Sequence, residues 1–182
     1  MKLDYLILTE SINVNDFCCG TSDDHQKLNK FLKERAIGHQ KEQIGTTTII
    51  FDRSLNNKAI GYITLLADSV KVEKKQREHF FKNALLKNKY KAYPALQIGR
   101  IAVDQDYQRK GVGTHLFRLA VAFSFYTSNE LGIGIRFLVV HSKDMAKEWY
   151  LKKLNFRIYD ESKDILYYDL LGWKDGKRKI DN

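Results

Sequence analysis

The sequence predicts a single α/β domain built around a mixed sheet. Predicted strands and helices alternate along most of the 182 residues, and no repeat, low-complexity stretch or Pro/Gly/Ser-rich linker divides them. One nearly all-apolar run, residues 135–140, is typical of a strand that is buried on both faces. A chain of this length can also form a proper hydrophobic core.

The first half of the chain contains five predicted elements. They are a strand at 3–9, a helix after a turn at 16–21, strands at 46–51 and 59–67, and a basic helix at 73–89. The strands are rich in β-branched and aromatic residues. In the first helix Leu28, Phe31, Leu32 and Ala36 recur at helical spacing. The polar turn between the second and third strands contains Asn56-Asn57, which suits a hairpin.

The second half continues the alternation of strands and helices. It contains a strand at 96–103, a helix at 111–125, the apolar strand at 135–140, a short helix at 143–154, and closing strands at 156–159 and 165–170. The longer helix has one apolar face, formed by Val112, Leu116, Leu119, Ala120 and Phe123. We therefore expect a mixed sheet flanked by helices.

Composition narrows the class of protein. No apolar run is long enough to span a membrane, and the N-terminus lacks the pattern of a secretory signal. The two cysteines, Cys18 and Cys19, are adjacent, which fits neither a disulfide framework nor a zinc site. The five histidines are scattered without metal-ligand spacing. We expect a cytoplasmic protein without a metal.

The net charge of +9 suggests an anionic partner. Residues 71–91 contain eight basic and two acidic residues, a net of +6, and the tail is basic as well. These stretches are either solvated faces or a surface for a polyanion such as nucleic acid. In the second case Lys74, Lys75 and Arg77 would contact the substrate. We expect the domain to cover residues 1–172, with a basic tail at 173–182.

A glycine-containing turn, residues 108–113, follows the strand at 96–103 and reads Gln-Arg-Lys-Gly-Val-Gly. The first turn of a helix has amides without intrahelical partners and a partial positive charge, so it can hold phosphate. Gly111 and Gly113 let the backbone approach the anion, and the preceding residues add donors and charge. The turn is neither a Walker A loop nor a dinucleotide fingerprint. A diphosphate is the expected ligand, although on the turn alone a simple loop-closing role is the commoner one.

The turn, together with later residues, resembles the GCN5-related N-acetyltransferase (GNAT) family. The strand before it ends Arg100-Ile101-Ala102-Val103, and the apolar strand at 135–140 is followed by Ala-Lys-Glu-Trp-Tyr at 146–150. Asn155-Phe156 stands where the family usually has Gly-Phe, at a turn that Asn can also make. The resemblance implies a mixed, mostly antiparallel sheet with a splayed pair of strands that holds acetyl-CoA.

The resemblance also implies roles for individual residues. The turn would bind the diphosphate of acetyl-CoA and the strand before it the pantetheine arm. The implied residues are Ile101, Ala102, Val103, Gln108, Arg109, Lys110, Gly111, Val112, Gly113 and Thr114. Tyr150 would protonate the leaving thiolate, although in a short helix it is equally a core anchor.

No general base is evident. Glu148 and Asp104 are candidates because they lie near the predicted site residues in sequence, but each is more typical of a surface charge. A site without a carboxylate base favours an α-amine, which is partly neutral at pH 7, over a lysine side chain.

The N-terminal half resembles the acetyltransferase toxins of bacterial toxin–antitoxin pairs. The similarity includes Phe-Cys-Cys-Gly at 17–20, Leu-Asn-Lys-Phe-Leu at 28–32, threonines at 46–48 and Gly-Tyr-Ile-Thr-Leu at 61–65; Asn29 replaces the usual Asp. Such toxins acetylate the α-amine of aminoacyl-tRNA and pair with a ribbon-helix-helix antitoxin. The alternatives are an N-acetyltransferase for a small amine, peptide or protein, and an idle acetyl-CoA- or RNA-binding module. A homodimer is left open.

Overall fold

A computed structural model describes residues 2–55, 58–72, 90–142, 144–160 and 164–171. Seven strands form one sheet in the order β1-β2-β3-β4-β5-β7-β6. They are β1 Leu3–Ile7, β2 Thr46–Asp52, β3 Lys58–Lys71, β4 Ala92–Val103, β5 Phe137–His141, β6 Arg157–Asp160 and β7 Ile165–Asp169. The helices are α1 Asp23–Lys30, α2 Ala36–Lys41, α3 Val112–Asn129 and α4 Asp144–Lys152. A π-helical segment, Phe31–Arg35, joins α1 to α2.

The chain divides into two compact units, and the first contains Met1–Leu66 and Ile98–Phe123. Here β1, β2 and β3 pair antiparallel, with Leu6 opposite Ile49 and Ile49 opposite Tyr62. Its core joins these strands to α1, the π-helical segment and α2. The buried core residues are Leu8, Val14, Phe17, Cys19, Phe31, Leu32, Ala36, Ile49, Phe51, Ala59, Tyr62 and Ala102.

The second unit contains Ala67–Gln97 and Ser124–Asp181, as far as these residues are described. β4 pairs parallel with β5 through Ala95, Leu96 and Gln97. β7 lies antiparallel between β5 and β6. The core residues of this unit are Val70, Val72, Tyr93, Ala95, Phe137, Val139 and Tyr167. The mixed, mostly antiparallel sheet that the sequence predicts is thus confirmed.

The structure refines several expected elements. The helix expected around Leu28 and Phe31 is divided by the π-helical segment, which admits one extra residue per turn and turns Phe31 and Leu32 into the core. β3 runs to Lys71, beyond the expected end at Ala67, and β4 begins four residues earlier than expected. The run at 137–140 is buried throughout, as expected for a strand covered on both faces.

Some expectations fall outside the described residues. These are the Asn56-Asn57 turn, the basic helix at 73–89 with Lys74, Lys75 and Arg77, and the tail at 173–182. None of the described helices is long and apolar enough to cross a membrane. In the described part of the chain, no three His, Cys, Asp or Glu side chains cluster as metal ligands would.

Candidate acetyl-CoA site and its supporting residues

The predicted diphosphate turn, residues 108–113, is separated from the end of β4 by Asp104 and a short 3-10 helix, Gln105–Tyr107. Arg109 and Gly111 adopt left-handed backbone conformations, with φ of 58° and 85°. A Cβ built on Gly111 would have no heavy atom within 4 Å, so glycine is favoured here by conformation and the space beside it is open. The carbonyl of Gly111 accepts the first helical hydrogen bond of α3, from the amide of His115 at 3.0 Å.

The amides ahead of that bond are the ones that could hold an anion. Among the described residues, the amide nitrogens of Gly111, Val112, Gly113 and Thr114 have no hydrogen-bond partner. Four consecutive donors at the positive end of an 18-residue helix are suited to phosphate oxygens. The backbone of the turn therefore has the geometry that the sequence predicted for a diphosphate.

The side chains of the turn divide into two kinds. The Gln108 amide donates to the carbonyls of Cys19, at 2.8 Å, and Val103, at 3.2 Å, so its donors already hold the turn in shape. The side chains of Arg109 and Lys110 are exposed, and the Lys110 ammonium lies 5.3 Å from the centre of the Tyr107 ring. The positive charge at the rim thus comes from Arg109 and Lys110, while Gln108 positions the backbone.

Asp104 is buried rather than the surface charge that the sequence suggested. It is 2% exposed and accepts the amides of Cys18 and Asp106, both at 3.2 Å. The Lys58 ammonium lies 3.7 Å from the same carboxylate. Since its oxygens are occupied by these partners, Asp104 fixes the end of β4 instead of acting as a base.

The loop at residues 18–20 is hydrogen-bonded to the turn and to the segment that precedes it. The carbonyl of Cys18 accepts the amide of Gln105 at 2.8 Å. The Asn29 side chain accepts the amide of Cys19 at 2.9 Å and donates to the carbonyl of Gly20 at 3.1 Å. An aspartate, the residue usual in the toxins, could not make the second bond while ionised. Asn29 is a supporting residue that sequence reasoning noted only as a departure from a pattern.

The adjacent cysteines are part of this support. Cys19 is 2% exposed, and its burial, reinforced by the neighbouring Cys18 thiol, raises its pKa to about 11. A thiol with such a pKa is almost wholly protonated at neutral pH and is a poor nucleophile.

The predicted pantetheine strand is the last part of β4. Ala102 is buried in the core, whereas Ile101 and Val103 are half-buried. Pairing with β5 covers only Ala95, Leu96 and Gln97. In the described part of the chain, the main chain of residues 98–103 therefore has no partner on that edge and keeps its hydrogen-bonding groups available.

Tyr150 lies on α4 and is 2% exposed. Its ring packs on Trp149, with centroids 4.9 Å apart, and edge-on against Phe156 at 5.1 Å. Burial raises the pKa of its phenol above the ordinary value. No described group hydrogen-bonds the hydroxyl. Asn155 has a φ of 56°, so it makes the left-handed turn usually made by glycine.

Glu148 is exposed and forms an ion pair with Lys152 one helical turn later. The hydrogen bond from Lys152 lowers the pKa of the Glu148 carboxyl, which makes it a weaker base. The surface role expected for Glu148 agrees with this environment.

Comparisons with known proteins agree with the fold. The model of one protein family, described as the acetyltransferase (GNAT) family, matches residues 20–156. No curated protein matches the chain in a sequence search.

Three solved structures resemble the chain along almost its whole length. AtaT complexed with acetyl-methionyl-tRNAfMet is 23% identical, with 95% of this chain and 98% of that chain covered and a TM-score of 0.75. A tyrosine-to-phenylalanine mutant of KacT is 23% identical, with coverages of 96% and 99% and a TM-score of 0.77. An AtaT mutant toxin bound to the C-terminus of the antitoxin AtaR and acetyl-CoA is 22% identical, with coverages of 98% and 100% and a TM-score of 0.72. At these identities the resemblance establishes the fold.

Proposed function

Because this chain belongs to the acetyltransferase (GNAT) family, we propose that it transfers the acetyl group of acetyl-CoA to the α-amine of aminoacyl-tRNA, as the toxin of a toxin–antitoxin pair. That the chain is an acetyl-CoA-dependent N-acetyltransferase follows from its family. The acceptor, the partner and the individual residue roles are the proposal. The observation that carries the assignment of acetyl-CoA is the set of four amides at residues 111–114 that have no hydrogen-bond partner among the described residues.

We assign the diphosphate of acetyl-CoA to this turn. The backbone amides of Gly111, Val112, Gly113 and Thr114 donate to the phosphate oxygens, and Arg109 and Lys110 neutralise charge at the rim. Gln108 contributes by holding the turn through Cys19 and Val103. The free main-chain edge of Ile101, Ala102 and Val103 binds the pantetheine arm.

Tyr150 supplies the proton at the leaving sulfur. The acceptor nitrogen forms a bond to the thioester carbonyl carbon, the C–S bond breaks, and the sulfur leaves with the electron pair. A phenol with a raised pKa keeps its proton at neutral pH, so the hydroxyl donates a hydrogen bond to the developing thiolate. The thiolate takes the Tyr150 proton while the proton released by the acylated nitrogen returns to the phenol, so that no free phenolate, which the raised pKa disfavours, is formed.

The proposed acceptor class rests on the environments of the two described carboxylates that were candidates for a general base. Asp104 is committed to Cys18, Asp106 and Lys58, and Glu148 to Lys152, so neither candidate carboxylate is available as a base. An α-amine has a reference pKa of about 7.7–8.0, whereas that of a lysine side chain is about 10.4. An α-amine next to an ester needs the least help to become neutral, which favours aminoacyl-tRNA.

The proposed partners follow from charge and from the relatives. A net charge of +9 attracts tRNA, and we place part of that contact at Lys74, Lys75 and Arg77. AtaT has been solved with a charged, acetylated tRNA and with the C-terminus of its antitoxin. We propose a ribbon-helix-helix antitoxin for this chain and a cytoplasmic site of action, where charged tRNA is consumed.

The test is acetyl transfer from labelled acetyl-CoA to a panel of acceptors: charged tRNAs, the same tRNAs uncharged, polyamines and peptides. We expect label only on charged tRNA, and mild alkali should release it as an N-acetylated amino acid because the ester hydrolyses first. Label on uncharged tRNA would place the acetyl group elsewhere on the RNA. Label on polyamines or peptides alone would overturn the tRNA assignment.

A further inference from the structure

Arg100 is a cation for which the described residues supply no counter-charge. It lies on β4, three residues before the strand ends, and is half-buried. Its guanidinium carbon lies 3.9 Å from the centre of the Phe31 ring. No ion pair or hydrogen bond to its side chain is formed within the described residues. A guanidinium has five N–H donors, and leaving them unused in a half-buried position is unfavourable.

The face of the sheet on which Arg100 lies can be read from its neighbours. Side chains alternate along a strand, so Arg100 and Ala102 project to the same face, and Ala102 is in one core cluster with Phe31. Gly61 faces the other way, because a Cβ built on it would lie 3.2 Å from Val112 and Leu116 of α3. The helix that begins at the diphosphate turn therefore packs on one face, and Arg100 projects from the opposite one.

The aromatic ring beneath Arg100 is held rigidly. Phe31 is 2% exposed and is the first residue of the π-helical segment. Its ring meets His39 edge-on, with centroids 5.1 Å apart, and stacks on Tyr62 at 6.3 Å. The guanidinium plane is thus supported before any ligand arrives, and the entropy lost on binding is reduced.

We propose that Arg100 binds a backbone phosphate in the single-stranded 3′ end of the charged tRNA. This inference rests on the proposed function and adds an acceptor-binding residue to it. The planar fork of a guanidinium fits two phosphate oxygens, which a lysine cannot match. Since the acetyl-CoA diphosphate is assigned to the α3 face, the two anionic substrates reach the same strand from opposite faces and do not compete.

The test compares two acceptors that differ in phosphate. One is an aminoacylated oligonucleotide with the sequence of the tRNA 3′ end, and the other is the same aminoacyl group on a nucleoside without phosphate. In the Arg100→Gln enzyme, kcat/KM for the oligonucleotide should fall by on the order of tenfold, mainly through KM. The phosphate-free nucleoside should be acetylated at the wild-type rate. Arg100→Lys should be intermediate, because it retains the charge without the fork.

Arg35→Gln is the matched control. Arg35 is exposed and is the last residue of the same π-helical segment. Because Arg35→Gln removes the same charge as Arg100→Gln, this variant measures the non-specific electrostatic effect. We expect it to leave both substrates unaffected. Equal losses on both substrates in Arg100→Gln, or no loss on either, would overturn the assignment of Arg100 alone. A wild-type enzyme that acetylates neither substrate would overturn the proposed function, and the assignment with it.

Discussion

Two buried tyrosines, one in each compact unit, have similar environments but different partners. Tyr62 in β3 is fully buried and Tyr150 in α4 is 2% exposed, and burial raises the pKa of both phenols. The hydroxyl of Tyr62 donates to the carbonyl of Leu28 at 2.9 Å. The hydroxyl of Tyr150 has no partner among the described residues.

The difference in hydrogen bonding suits the two tyrosines to different roles. Among the described residues, the fully buried side-chain polar atom that lacks a partner is Nδ1 of His39, so the Tyr150 hydroxyl still reaches solvent. Tyr62 fastens α1 to the sheet and has no donor left for a substrate. The Tyr150 hydroxyl remains available, as its proposed role as a proton donor requires. Burial and a raised pKa are common to both tyrosines, and of the two hydroxyls that of Tyr150 has no partner among the described residues.

Neither tyrosine is proposed to bind the cofactor, which is assigned to the turn at residues 108–113. The variant with the largest expected effect tests this assignment. Gly111→Asp places a carboxylate in the open space beside the free amides, so acetyl-CoA affinity should fall by on the order of a hundredfold through like-charge repulsion. Titration calorimetry measures it. Gly132→Asp is the control, since Gly132 also has a left-handed φ, 71°, and open space. Equal losses in both variants would attribute the effect to backbone strain.

Tyr150→Phe tests the proposed role of Tyr150 as the proton donor. Removing the hydroxyl should lower kcat by on the order of a hundredfold, because the thiolate loses its proton donor. Acetyl-CoA affinity and the free energy of unfolding should be unchanged, since no protein hydrogen bond is lost. Single-turnover acetylation and urea denaturation measure the two quantities. Wild-type turnover in this variant would remove Tyr150 from the mechanism.

Tyr62→Phe should give the opposite result. The carbonyl of Leu28 loses its donor, so the free energy of unfolding should fall by about 1 kcal/mol while kcat is unchanged at temperatures where the variant is folded. Urea denaturation with activity measured in parallel tests this. A loss of turnover without a loss of stability would contradict the structural role.

The smallest expected effect is a loss of stability at high pH, to which both tyrosines contribute. In the unfolded chain a phenol ionises near its reference pKa of about 10, whereas both folded phenols have raised pKa values. The stabilising contribution is complete below pH 10 and is lost as pH rises above it. From pH 9.5 to 10.5 each tyrosine should account for a loss of about 0.7 kcal/mol. In each Phe variant the free energy of unfolding should fall less steeply over this pH range. A difference between the two variants would mean that the two phenols differ in burial.

Much of the fold could be predicted because its signals are local. The strand patterns at 46–51 and 135–140 and the apolar face of α3 follow from residue type and spacing alone, and each element was found within a few residues of its expected ends. The left-handed turn at Asn155 was also predictable, since Asn adopts this conformation more readily than most residues.

The remaining features depend on contacts between distant parts of the chain. The burial of Asp104 requires Cys18, 86 residues earlier, to supply an amide. The stacking of the Arg100 guanidinium on the Phe31 ring, without an ion pair from the described residues, becomes visible only in the structure. The π-helical segment leaves no trace in the spacing of Leu28, Phe31 and Leu32, which an ordinary helix also satisfies. No local pattern encodes any of these.

The hydrogen bonds between the loop at 18–20 and residues 104–108 have a consequence for synthesis. Partners 86 to 89 positions apart cannot meet until both have left the ribosome. The nascent chain therefore exposes the two cysteines long before their partners Asp104, Gln105 and Gln108 exist. An enzyme assembled in this order acquires its cofactor site late, so a partner that captures the emerging N-terminal part would meet it while it is still inactive.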